Sequence, residues 1–157
     1  GAVMVPGRPS VLLKMASPRR YIQPSHGVNI APDIYGGAFR RDPHLAEKHA
    51  AKVRSSGKLG YYWQLFAGLG WTSVHWLHKI RQPTLILAGD DDPIIPLVNM
   101  KLLAWRIPNS ELHVIDDGHL FLVTRAQSVA PLIMGFLAEE RQPAVIRHTA
   151  TMRAPRA

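Results

Sequence analysis

Two short polar clusters hold the residues best suited to chemistry: Gly89-Asp90-Asp91-Asp92-Pro93-Ile94-Ile95-Pro96 and Asp116-Asp117-Gly118-His119. A carboxylate and a neutral imidazole within hydrogen-bond reach are two of the three parts of an acyl-transfer site. A hydroxyl is too weakly acidic to attack an ester unaided. The imidazole takes its proton, and a buried carboxylate holds the other ring nitrogen, fixes the tautomer and stabilises the imidazolium. The bland alternatives are a histidine that only opens a helix and aspartates that only solvate a turn. A metal site on the triple aspartate lacks a recognised ligand spacing. His75 and His78, three residues apart, fit a surface pair better than a metal site, and His26 in Ser25-His26-Gly27 reads as structural.

Such a pair has to be positioned by the elements around it. Thr84-Leu85-Ile86-Leu87-Ala88-Gly89, an apolar run between a proline and a glycine, predicts a strand buried on both faces, as in a parallel sheet. Helix is predicted over 97–106, a second strand over 111–115 and a further helix over about 121–140. Strand, helix, strand, helix is an α/β pattern. Both polar clusters then lie just past the carboxyl ends of consecutive strands, where open α/β sheets collect functional groups. Two strands make a poor buried sheet by themselves, so the rest of the sheet is expected from sequence upstream.

The first half reads differently. Residues 1–7, ending in Pro6-Gly7, look like the exit of a core strand and a turn. Residues 8–41 are expected to be irregular, because Pro9, Pro18, Pro24 and Pro32 interrupt any long helix. Asp42-Pro43 marks a helix start, with helix to 55 and Gly57 as its stop. Leu59, Tyr62, Trp63, Phe66 and Ala67 share one face of a helix over 59–68. Residues 71–80 read as another short helix.

Composition narrows the function classes. The chain has 157 residues, 46% hydrophobic and 19% charged, which suits a globular fold. It has no cysteine, a lean toward a reducing compartment. No apolar run reaches the ~20 residues of a membrane-spanning helix. The net charge of +8 sits at the two ends: residues 1–32 and 141–157 each hold four basic residues and no acid. Scattered terminal arginines describe a solvated tail rather than a nucleic-acid site, and residues 142–157 are expected to be a disordered basic tail.

Three further segments carry a resemblance that goes beyond the fold. Met15-Ala16-Ser17-Pro18-Arg19-Arg20-Tyr21, Gly60-Tyr61-Tyr62-Trp63-Gln64-Leu65-Phe66-Ala67-Gly68-Leu69-Gly70-Trp71 and Asp116-Asp117-Gly118-His119-Leu120-Phe121-Leu122 resemble intracellular medium-chain-length poly(3-hydroxyalkanoate) depolymerases. These are serine hydrolases of the α/β-hydrolase fold, in which the order along the chain is nucleophile, acid, histidine. The spacing Gly-x-x-Asp followed by proline resembles that fold's acid loop. It implies that Asp92 is the triad acid and His119 the triad histidine.

The resemblance implies the rest of the functional assignment. Residues 8–80 correspond to a helical lid, residues 83–141 to the C-terminal part of the core, and the substrate is a storage polyester in cytoplasmic granules. Tyr62, Trp63, Phe66 and Trp71, among the lid aromatics that also include Tyr61 and Trp76, would line an apolar path for the polymer or touch the granule, if they are not simply lid core. No cofactor or metal is required. The sequence departs from the family in one large respect. It contains no Gly-x-Ser-x-Gly, and Ser25 is not in such a context. The expectation is therefore a chain that supplies the acid, the histidine and the lid, with the serine and oxyanion donors in a missing N-terminal half. A small-ester or lipid hydrolase of the same fold, and a non-catalytic granule-binding module, are the rival readings.

Overall fold

The computed structural model describes residues 5–52, 58–68 and 70–138. Six helices come first: α1 (Pro9–Ala16), α2 (Arg19–Ile22), α3 (Pro24–Tyr35), α4 (Ala38–Arg41), α5 (Pro43–Lys52) and α6 (Lys58–Gly68). A 3-10 turn at Leu77–Lys79 leads into β1 (Thr84–Gly89), α7 (Leu97–Arg106), β2 (Ser110–Ile115), α8 (Phe121–Thr124) and α9 (Ala126–Ala138).

The strands pair in parallel, in register from Thr84 opposite Ser110 to Gly89 opposite Ile115. Parallel neighbours need a crossover, and α7 supplies it. Leu77, Ile86, Ala104 and Ile107 form the buried centre of this unit, with Met100, Leu103 and Leu112 packed against them. Each such buried aliphatic side chain contributes on the order of 2 kcal/mol. A second core joins α3, α4 and α5 through Ala31, Phe39 and Ala46. Leu120, just after the histidine cluster, packs against that helical core. The two halves therefore meet at the loop that carries His119.

Several expectations are corrected. Residues 8–41 are helical, because the prolines initiate helices instead of preventing them. Pro9 and Pro24 occupy the first turns of α1 and α3, where a missing N–H costs nothing. Pro32 lies inside α3, but only one more turn follows, and its carbonyl accepts the N–H of Gly36 at 3.1 Å. Ser25 and His26 accordingly sit in the first turn of a helix, not in an irregular loop. Residues 71–80 hold only the 3-10 turn. There the Thr72 hydroxyl accepts the N–H of Val74 at 3.4 Å, competition with the backbone that Ser and Thr commonly offer. The helix expected over 121–140 is broken at Arg125, where Thr124 and Arg125 turn toward a buried carboxylate.

Other expectations hold in part. β1 is fully buried on the face carrying Ile86 and Ala88 only; Leu85 and Leu87 are half-buried, as is all of β2. The Asp42 start of α5 is as expected, with Asp42 Oδ1 accepting the N–H of His44 at 2.9 Å. The segment expected to extend α5 to 55, the stop at Gly57, residues 1–4 of the strand exit and the tail 142–157 lie outside the described residues. Among the described residues, no helix is long and apolar enough to cross a membrane.

Candidate active site

The parallel register delivers the two polar clusters side by side. Past the strand ends, the Asp90 N–H donates to the Ile115 carbonyl at 3.0 Å and the Asp91 N–H to the Asp117 carbonyl at 3.2 Å. Gly89 is required here by close approach: a Cβ on it would lie 2.6 Å from the carbonyl oxygens of Asp117 and Gly118. A larger residue would push the acid loop and the histidine loop apart.

Asp92 and His119 meet in the gap between these loops. The His119 Nδ1 lies 2.8 Å from the Asp92 Oδ2. The other carboxylate oxygen, Oδ1, accepts the N–H groups of Ile94 and Ile95, both at 2.9 Å. Pro93 has no N–H to compete and fixes the turn that aims those two donors. A carboxylate accepts, so Nδ1 is the nitrogen placed to donate to it, and a neutral ring in that tautomer carries its lone pair on Nε2. The Asp92 side chain is 8% exposed and that of His119 30%, so the acid is withdrawn while the base can be reached. Both line an open cleft with Leu87, Ile95, Met100 and Phe121. A base with a held tautomer beside an apolar cleft can take a proton from a hydroxyl brought into that cleft.

The neighbouring aspartates diverge. Asp91 Oδ2 accepts the N–H of Gly37 at 2.7 Å, and Arg40 Nη1 donates to both Asp91 oxygens, at 2.5 and 2.6 Å. Asp90 faces solvent. Partial desolvation first, and the negative charge of Asp116 second, raise its carboxyl above the ordinary carboxylate value. Asp117 is 1% exposed and turns away from the cleft. Among the described residues, no three His, Cys, Asp or Glu side chains converge into a metal-ligand cluster.

The aromatic candidates sit elsewhere. Tyr62, Trp63 and Phe66 lie on one face of α6, 46%, 65% and 68% exposed, and Trp71 follows it at 52%. None of the four lines the cleft of Asp92 and His119. The side chain of Tyr61 lies outside them, and Trp76 is exposed.

Two residues near the site escaped sequence reading. Asn99, fully buried on α7, accepts the Val5 N–H on Oδ1 at 2.9 Å and donates Nδ2 to the Val5 carbonyl at 2.7 Å. It pairs the incoming chain as a strand neighbour would. Its signal was a polar amide on a helix whose neighbours Met100, Leu103 and Ala104 face the core. Asp117 had a signal in its place two residues before His119.

The alpha/beta hydrolase fold family model matches residues 6–126. The chain belongs to the alpha/beta hydrolase fold family. Among curated proteins the chain is 77% identical over 146 residues to a poly(3-hydroxyalkanoate) depolymerase of Ectopseudomonas oleovorans, covering 93% of the chain and 52% of the relative. It is 30% identical over 114 residues to a 2-hydroxy-6-oxononadienedioate/2-hydroxy-6-oxononatrienedioate hydrolase of a Pseudomonas species, covering 69% of the chain and 36% of that protein. The chain thus spans about half the length of the depolymerase it matches. Among solved structures, a meta-cleavage product hydrolase superposes with a TM-score of 0.66 at 18% identity, over 87% of this chain and 52% of that one. An enol-lactonase from Burkholderia xenovorans gives the same score and identity over 83% and 49%. At such identity these structures speak for the hydrolase fold alone.

Proposed function

We propose that this hydrolase chain supplies the acid and the base of a serine esterase that cleaves medium-chain-length poly(3-hydroxyalkanoate). The chemistry rests on one observation: the imidazole of His119 donates to a carboxylate, Asp92, whose remaining oxygen is already held by two backbone N–H groups. The polyester as substrate is drawn from the 77% identical depolymerase.

In this reading a serine from a Gly-x-Ser-x-Gly segment outside these 157 residues enters the cleft. His119 Nε2 takes the proton of its hydroxyl as the oxygen attacks the ester carbonyl. The tetrahedral intermediate collapses when His119 returns that proton to the departing 3-hydroxyl oxygen, leaving an acyl-serine. Water repeats the sequence and releases the acid. Asp92 stays ionised throughout and balances the imidazolium. The route needs no metal or cofactor. Residues 8–80 act as the lid, residues 83–141 as the C-terminal part of the core, and Tyr62, Trp63, Phe66 and Trp71 offer the apolar contact for polymer side chains at the granule surface, in the cytoplasm.

A second reading is a hydrolase of small esters on the same fold; the 30% identity to a 2-hydroxy-6-oxononadienedioate hydrolase favours a small soluble substrate over a polymer without pointing to an ester. The test is release of 3-hydroxy acids from medium-chain polyester by the full-length protein containing this chain, beside a panel of soluble esters. Turnover of polymer supports the first reading. Turnover of soluble esters alone supports the second. Granule binding with no hydrolysis of either would overturn both in favour of a binding module.

A further inference from the structure

We propose that Asp117 is the positioning residue for His119: a buried carboxylate that ties the histidine loop to the glycine turn between α3 and α4 and so holds the imidazole against Asp92. The inference rests on the serine-hydrolase reading above.

The carboxylate is 1% exposed and every group aimed at it is a donor. Oδ1 accepts the N–H of Ala38 at 2.5 Å and that of Gly118 at 2.7 Å. Oδ2 accepts the Thr124 hydroxyl at 2.6 Å, with Arg125 Nε at 3.4 Å. Arg41 Nη2 lies 3.6 Å from Oδ1. A charge this deep is tolerated only when it is paired and hydrogen-bonded, and here both conditions are met. An asparagine could satisfy one side of this donor ring, not both.

The same turn is gripped at two further points. The His119 N–H donates to the Tyr35 carbonyl at 2.7 Å, and the Gly37 N–H donates to Asp91. There is no slack in the junction. Gly36 and Gly37 adopt φ of 65° and 47°, and a Cβ on Gly37 would lie 2.0 Å from both Asp117 Oδ1 and the Gly118 nitrogen. The backbone of His119 is thus fixed from the residue before it, through Gly118, and from its own N–H, through Tyr35. Loosening the first of these lets the imidazole drift from Asp92. A displacement of about 1 Å in a catalytic group costs on the order of 100-fold in rate.

The experiment compares wild type, Asp117→Asn, Thr124→Val and His119→Ala in the full-length protein containing this chain. It uses the p-nitrophenyl ester of a medium-chain acid as probe, at a temperature where each variant is folded. The proton NMR signal of the His119 Nδ1–H is recorded alongside. A positioning role predicts that Asp117→Asn lowers kcat about 100-fold with KM within about threefold. The imidazole signal shifts or broadens, and Thr124→Val moves both readouts in the same direction by less. A purely structural role predicts a lower Tm with kcat per folded molecule and the NMR signal unchanged in both variants, and that result overturns the proposal. If Asp117→Asn does not fold, Thr124→Val decides by the same two readouts. Full activity in His119→Ala would instead sink the serine-hydrolase reading, while the NMR comparison would still report whether Asp117 holds the ring.

Discussion

Asp92 grips His119 with one oxygen and the backbone of its own loop with the other: 2.8 Å to the imidazole, 2.9 Å to the N–H of Ile94 and of Ile95. The loop donors mean that a substituted Asp92 side chain would keep its place. Asp92→Asn is therefore expected to preserve the fold while presenting an amide to Nδ1 and disturbing the tautomer. Catalysis by the full-length protein should fall by roughly 10⁴-fold in kcat, with His119→Ala of comparable severity. Steady-state kinetics on a soluble ester checks this. Either variant with near-wild-type kcat would end the assignment.

Asn99 is expected to be a stability residue. Its replacement by leucine removes the side-chain amide that the N–H and carbonyl of Val5 bond to. Losing these two part-buried hydrogen bonds costs roughly 1 kcal/mol. Denaturant unfolding should register that loss, and Asn99→Leu as stable as wild type would refute it.

His49 predicts a pH dependence in the helical half. Burial, with the positive charge of Arg20 second, holds its pKa below the ordinary 6.5. The ring packs edge-on against Tyr35 and Phe39 and lies 3.2 Å from the Tyr35 hydroxyl. As pH falls below 6.5, the unfolded chain takes up a proton that the folded chain resists. Stability contributed by neutral His49 is thus present above 6.5 and is lost on acidification toward the lowered folded value. Tm measured between pH 5 and 7.5 should fall toward the acid end, and His49→Gln should flatten that slope. An unchanged slope in the variant would show that other groups govern it.

Trp63 and Phe66 separate substrate contact from folding. Both are about two-thirds exposed, so their alanine variants should change stability by no more than about 0.5 kcal/mol. Hydrolysis of insoluble polymer should fall several-fold while turnover of a soluble ester stays within about twofold. Equal losses on both substrates would remove these residues from polymer recognition.

Much of the α/β half was legible in the sequence. Helix 97–106 and the two strands emerge where expected because apolar runs there are bounded by proline, glycine and polar turns. The prolines of residues 8–41 misled because proline closes one helix and opens the next with equal ease, and only the tertiary setting separates the two uses. The dyad was legible through the spacing of Gly89, Asp92 and Pro96 together with Gly118-His119. Asp117 and Asn99 showed only as polar residues in suggestive places, and their roles were not legible, because each serves backbone groups distant in the chain. The Ala38 N–H is 79 positions from Asp117, and Val5 is 94 from Asn99. Local patterns carry no trace of such partners.

The bond between Asp92 and His119 closes only 27 positions of chain, and α7 already occupies part of that span. Bringing their ends together therefore costs little entropy, since closure cost grows only slowly with length and pre-formed helix shortens the flexible part. The Asp92–His119 contact is therefore a local one, of the low sequence separation that favours fast formation once the surrounding sheet is present. Under the proposed mechanism, a serine arriving from elsewhere in the fold would meet a pair that its own stretch of chain already organises, so the serine's arrival would set when the site is complete.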